Sequence, residues 1–197
     1  MKSNLSPGIN HFHINDRENL VCLLVDLQDG LIAAMQQDVR NKTEANINLI
    51  ITSAKIMHIP IIITEQYPKG LGYTVKPVRE NLGELYEPIE KVYFSCWEQP
   101  AFQEKVKLLT PKSVIITGIE AHICVLQTAL DLLSHGYNVR VVSDAICSRY
   151  KSDWTAAVRL MEQAGAVITT TETLIFQLLK RAGTQEFKLI SPLFKER

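Results

Sequence analysis

The sequence carries no excess of charge: 21 Lys and Arg are matched by 21 Asp and Glu. A net charge of zero provides no electrostatic footprint for nucleic acid or an anionic membrane, and it leaves self-association unopposed. Long apolar runs are also missing. Stretches such as 20–25 and 59–63 fall far short of the roughly 20 residues that span a bilayer. Residues 1–19 are polar and have no apolar h-region, so no secretory signal is expected and a cytoplasmic protein is. The four cysteines, Cys22, Cys96, Cys124 and Cys147, form no C-x-x-C pair and show no zinc spacing; in a reducing compartment they are free thiols. There is no G-x-G-x-x-G opening a helix and no phosphate-binding loop ending in Gly-Lys-Ser/Thr, which disfavours a nucleotide-binding protein. Repeats and low-complexity tracts are absent as well.

What is present is an ordinary globular composition, 46% hydrophobic and 21% charged over 197 residues. That length suits one domain with a sizeable core. Apolar, β-branched runs at 20–25, 59–64, 113–117, 138–142 and 166–169 read as strands, and 90–95 as a short strand or the approach to one. Between them lie helical patterns at 41–58, 76–85, 100–109, 121–135, 154–164 and 171–181. Strands alternating with helices predict an α/β protein: a three-layer α-β-α, Rossmann-like fold with a six-stranded parallel sheet. Thr171 or Thr173 is the expected cap of the last helix. Residues 68–72, Pro-Lys-Gly-Leu-Gly, read as a loop shaping a pocket. Residues 1–19 read as a surface arm and 188–197 as a short extension.

Right-handed crossovers bring the C-terminal ends of parallel strands to one edge, where open α/β sheets bind their ligands. Asp26, Glu65, Gln66, Cys124 and Asp144 all follow strands there. A carboxylate such as Asp26 is costly at that position unless hydrogen-bonded or used. Cys124 falls in the first turn of the helix after Gly118; the helix dipole and free N–H groups there favour a thiolate and an oxyanion. A small buried hydrophobe is the competing reading of this cysteine. Lys91 alone reads as a solvated surface lysine. His11 and His13 are two potential metal ligands, too few to define a site.

Three motifs give these residues a common meaning. They are Leu24-Val25-Asp26-Leu27-Gln28-Asp29, then Gly118-Ile119-Glu120-Ala121-His122-Ile123-Cys124-Val125-Leu126-Gln127-Thr128, then Val142-Ser143-Asp144-Ala145-Ile146-Cys147. With Thr64-Glu65-Gln66-Tyr67-Pro68-Lys69-Gly70 and Lys91-Val92-Tyr93-Phe94-Ser95, the chain resembles the isochorismatase-like cysteine hydrolases over residues 20–187. The resemblance implies a catalytic triad of Asp26, Lys91 and Cys124, and a cis peptide between Ile119 and Glu120. It also implies an oxyanion hole from the N–H groups of Glu120 and Cys124. Asp26 would serve as general base, and Lys91 would hold it and lower the cysteine pKa.

The departures from that family also inform. Its nicotinamidases carry an Asp-x-His and further histidines near the second strand; here that region reads Glu65-Gln66-Tyr67-Pro68-Lys69, so neither metal nor cofactor is expected. Isochorismatases proper do not carry the nucleophilic cysteine, which argues against vinyl-ether cleavage. The expected activity is therefore hydrolysis of a small amide or related C–N bond through an acyl-enzyme on Cys124. Gln28, Gln66, Tyr67, Phe94, Trp97 and His122 are placed around the substrate by position only, and for Phe94 and Trp97 a core location is as good a reading. The resemblance also implies a homo-oligomer, a dimer or tetramer. The alternative is a non-catalytic interaction or thiol-sensing protein on the same fold, with Cys96 or Cys147 pairing with Cys124 on oxidation.

Overall fold

The computed structural model describes residues 17–195. His11 and His13 lie outside the described residues. In chain order the elements are β1 (Leu20–Val25), α1 (Asp29–Ile32), α2 (Gln37–Ile56), β2 (Ile61–Gln66), α3 (Pro68–Leu71), α4 (Lys76–Leu82), β3 (Ile89–Lys91) and α5 (Pro100–Leu109). Then come β4 (Ser113–Ile119), a wide π-helical turn (Ala121–Val125), α6 (Leu126–Ser134), β5 (Asn138–Cys147), α7 (Lys151–Gln163), β6 (Val167–Thr169), α8 (Thr171–Leu179) and α9 (Gln185–Ile190). The six strands pair in parallel throughout, in the order β3-β2-β1-β4-β5-β6. This is the α/β sheet that the alternation predicts.

Period-two alternation distributes each strand between two cores. Leu20, Cys22 and Leu24 of β1 face one core, with α2, α4 and α8 packed over it through Ile47, Ile50, Ile51, Val78, Leu82 and Leu178. Val21, Leu23 and Val25 face the other, covered by Phe102 and Val106 of α5, Ala129 and Leu132 of α6, and Met161 of α7. With both faces covered, the central strands read as continuous apolar runs rather than alternating ones. Ile190 of α9 is fully buried in the first core and Phe194 packs against it, so the segment following residue 187 is anchored to the body of the fold.

Several boundaries differ from those the sequence predicts. Helix α2 begins at Gln37, four residues before the predicted start. Residues Pro68–Leu71 make one helical turn instead of an open loop. Thr170, not Thr171 or Thr173, caps α8 by accepting from the Thr173 N–H. Strand β5 runs on to Cys147, past the predicted stop at residue 142. Its extra length is taken up by an irregularity: Ile116 pairs with Val141, but Gly118 pairs with Ile146. Gly118 sits at φ +113° with β1 so close that a Cβ would fall 2.0 Å from the Val25 carbonyl oxygen. Only glycine fits a bulge of that kind.

Candidate active site

Because β1, β2, β3 and β4 are parallel neighbours, their C-terminal ends share one edge. Asp26 follows β1 with a left-handed φ of 47°, a conformation that Asp tolerates better than most residues. Its N–H still donates to the Thr64 carbonyl at 3.2 Å, while its own carbonyl accepts from Gln28 N–H at 2.7 Å. The chain therefore turns sharply, and the carboxylate is held over the sheet edge. Thr64 Oγ1 donates to Asp26 Oδ1 at 2.7 Å. Lys91 Nζ donates to Asp26 Oδ2 at 2.6 Å, and neither charged side chain is exposed, at 0% each.

Lys91 owes its place to the register of β2 and β3, which pairs Gln66 with Lys91. Its ammonium also donates to Gln66 Oε1 at 2.8 Å and to the carbonyls of Tyr93 and Phe94 at 3.1 and 3.2 Å. Desolvation works to discharge this lysine, but the facing Asp26 charge and the nearby thiols outweigh it and raise its pKa. Burial lifts Asp26 above the ordinary carboxylate value, against the opposing pull of Lys91, Thr64 and Cys124. The result is a sealed, hydrogen-bonded ion pair.

Cys124 sits in the π-helical turn, whose wide spacing shows in the Val125 N–H donating five residues back to the Glu120 carbonyl at 3.2 Å. Its sulfur lies close enough to the Asp26 carboxylate for each group to shift the other's pKa, and it is 5% exposed. Burial raises its pKa first and the Asp26 charge adds to this, with Lys91 opposing. The sequence points to a thiolate favoured by the helix end and Lys91. The structure instead sets the sulfur near a carboxylate in a desolvated corner, and both effects favour the neutral thiol. The Ile119–Glu120 peptide is cis, and the Glu120 carboxylate accepts from Arg149 N–H at 3.2 Å and Nε at 3.1 Å.

Other candidates divide into two groups. Gln66 contacts Lys91 directly, and Tyr67 and Lys91 line a shallow cleft of about 320 Å³. Phe94 reaches Lys91 through its carbonyl, and the residue as a whole is 55% exposed. Gln28 is a fully buried strut: its amide accepts from Gln66 N–H at 2.6 Å and donates to the carbonyls of Gln66 and Gly72 at 3.0 and 2.6 Å. Trp97 belongs to the core, against the rings of Phe102, His135 and Tyr137. His122 pairs through Nδ1 with Ser148 Oγ at 2.9 Å, and its Nε2 lies 3.7 Å from Asp153. Glu65 accepts from Thr74 and from Tyr86 on a separate network. Asp144, expected on the same edge, accepts from the N–H and hydroxyl of Thr171, both at 2.8 Å. Among the described residues no group of three or more His, Cys, Asp or Glu could hold a metal ion.

Two contributors escape the motif reading. Thr64 supplies the hydroxyl to Asp26 and also lies 3.6 Å from the Cys96 sulfur, which places a second buried thiol at the site. The signal was in the strand itself: in Thr64-Glu65-Gln66, alternation puts the first and third side chains together and the second opposite.

Residues 21–173 match the family model described as the isochorismatase domain. Isochorismatase family protein 1A of Dictyostelium discoideum is 42% identical over 173 residues, covering 81% of this chain and 84% of that protein. Among solved structures, one titled MAR1 ribonuclease from Caenorhabditis elegans is 40% identical with a TM-score of 0.84, covering 92% of this chain and 91% of that one. The YcaC gene product of Escherichia coli, titled an octameric hydrolase of unknown specificity, is 27% identical with a TM-score of 0.78, covering 84% and 82%. With its six-stranded parallel sheet and its hydrolase-type fold, this chain belongs to the isochorismatase family.

Proposed function

We propose that this protein is a cofactor-independent cysteine hydrolase that cleaves a small amide or related C–N bond. Cys124 is the nucleophile, Asp26 the general base, and Lys91 the cation that holds Asp26. The observation that carries this reading is the connected chain from Lys91 through Asp26 to Cys124, buried at one sheet edge. A thiol beside a carboxylate that a cation holds in place is the arrangement general-base activation needs.

Asp26 takes the thiol proton as the sulfur attacks the carbonyl carbon, forming a C–S bond and an oxyanion. The N–H groups of Glu120 and Cys124 receive that oxyanion. Asp26 returns the proton to the leaving nitrogen, the C–N bond breaks, and a thioester remains. Water, deprotonated by Asp26, then attacks the thioester; the C–S bond breaks, the acid departs and the sulfur regains its proton. Desolvation favours the neutral form of Cys124, which suits transfer of its proton to Asp26 during attack. The near closure of Cys124 favours a small substrate.

We further read residues 1–197 as one catalytic domain. Among the described residues no helix is long and apolar enough to cross a membrane, and all four cysteines are buried free thiols. Free thiols agree with a reducing, cytoplasmic setting. A homo-oligomer is supported by the octamer named for the YcaC relative and by exposed Tyr67, Tyr73, Val92, Tyr93 and Phe94 near the site. The ribonuclease title of the nematode structure is not carried over, because a chain with no net charge lacks the excess of cations that neutralising a phosphate backbone favours.

The test is a panel of small amides, with intact-mass detection of an acyl adduct after rapid acid quench. An adduct on wild type that is absent from Cys124→Ala is expected. Turnover of RNA but of no amide would overturn the C–N reading. A folded protein inert to the whole panel would favour the thiol-sensing alternative, which Cys96 beside Thr64 makes concrete.

A further inference from the structure

A second concave site lies at the C-terminal end of β5, between the start of α2 and the start of α7. It is a cavity of about 430 Å³ that none of Asp26, Lys91 and Cys124 lines. Its body is apolar: Val39, Ile146 and the Trp154 ring form the walls. Its charged lining is mostly cationic, from Lys42, Arg149 and Lys151.

These cations differ in availability. Arg149 is already engaged by the Glu120 carboxylate at 3.1 Å. Lys42 and Lys151 have no ion-pair partner among the described residues. Oδ1 of the one carboxylate in the lining, Asp144, accepts from the Thr171 N–H and hydroxyl. The cavity thus combines apolar walls with two exposed ammonium groups that have no ion-pair partner among the described residues. Its size is within the range of small-molecule sites, where apolar walls supply affinity and a few polar groups fix orientation.

We propose that this cavity binds a small organic carboxylate, its apolar body against Trp154, Val39 and Ile146 and its anionic head between Lys42 and Lys151. The site is separate from the thiol and does not depend on the reaction at Cys124.

The experiment is calorimetric titration of the full chain with 1-naphthoate, with the uncharged 1-naphthylmethanol as the shape control. Saturable one-to-one binding of the carboxylate is expected, both in wild type and in Cys124→Ala. Losing both charge-assisted contacts in the Lys42→Gln/Lys151→Gln variant should weaken it by about tenfold or more, and the alcohol should bind wild type at least as weakly. Both lysines are exposed, so the double variant is expected to keep its fold. Trp154→Leu supplies a second variant that removes the aromatic wall and should also weaken binding. Absence of saturable binding at millimolar carboxylate would overturn the proposal. So would equal binding of the alcohol, or unchanged affinity in the lysine variant.

Discussion

Lys91 Nζ meets Asp26 Oδ2 at 2.6 Å with both side chains closed to solvent. A pair of this kind is held by mutual need more than by net gain, since each charge is intolerable there alone. Lys91→Met should therefore destabilise the protein by about 3–5 kcal/mol, read as a lowered urea midpoint. Adding Asp26→Leu to that variant should recover part of the loss. An unchanged midpoint in the single variant would show that solvent reaches the carboxylate.

Catalysis and positioning separate at Cys124 and Thr64. Cys124→Ala should remove turnover while leaving the thermal midpoint within a few degrees of wild type. Thr64→Val keeps the shape but removes the donor to Asp26 Oδ1. It should lower kcat by about tenfold, with KM little changed, as loss of a hydrogen bond to a catalytic base does. If kcat stays at the wild-type value, the hydroxyl has no part in setting the base.

The reactivity of Cys124 has a definite sign. Burial and the Asp26 charge raise its pKa above the ordinary 9.0, and Lys91 opposes them. Since the thiolate is the reactive form, iodoacetamide modification should stay slow at neutral pH and rise only on the alkaline side. Asp26→Asn should move that profile to lower pH, and Lys91→Gln should move it higher. Peptide mass spectrometry after timed quenching measures both. Shifts in the opposite sense would mean that other charges govern the sulfur.

The buried thiols also couple stability to alkali. Burial pushes Cys22 up to about 12 and both Cys96 and Cys147 up to about 11, from 9.0. Each folded pKa lies above its unfolded value. Stability is therefore fully present below pH 9 and declines as pH rises from there toward the folded values, because the unfolded chain sheds its protons first. Each fully titrating thiol contributes a slope of about 1.4 kcal/mol per pH unit. Urea unfolding from pH 8 to 10.5 should show the decline, and Cys22→Ala should make it shallower. A flat profile would contradict the burial of these groups.

Gly118 tests the backbone. At φ +113°, with a Cβ falling 2.0 Å from the Val25 carbonyl oxygen, Gly118→Ala forces β1 and β4 apart at the base of the site. A loss of about 3 kcal/mol or more is expected from left-handed strain combined with a backbone clash. Circular dichroism melts, or the yield of soluble protein, would register it. A variant as stable as wild type would mean the bulge can relax.

Legibility followed the range of the interactions concerned. Strand identity was readable because β1 and β4 are buried on both faces and therefore spelled in continuous apolar residues. The motifs drew attention to Asp26 and Cys124, which stand right after strands. Lys91 looked like a surface lysine, because its partners Asp26 and Gln66 are 65 and 25 positions away. Asp144 looked like a site residue and instead braces α8, because nothing local announced that β5 would continue beyond it. The balance of effects on the thiol divides the same way: the helix end and the pull of Lys91 can be read from sequence, whereas the desolvation that raises its pKa comes from the packing of α5, α6 and the sheet.

The tripeptide Thr64-Glu65-Gln66 serves two masters. Its odd members steady Asp26 and Lys91, while its middle member ties down Thr74 and Tyr86 on the opposite side. Each of these jobs is assigned by parity along β2. Substitutions in this strand are thus judged one at a time, but a single inserted or deleted residue would exchange the two networks wholesale and set a carboxylate where the lysine's amide partner belongs.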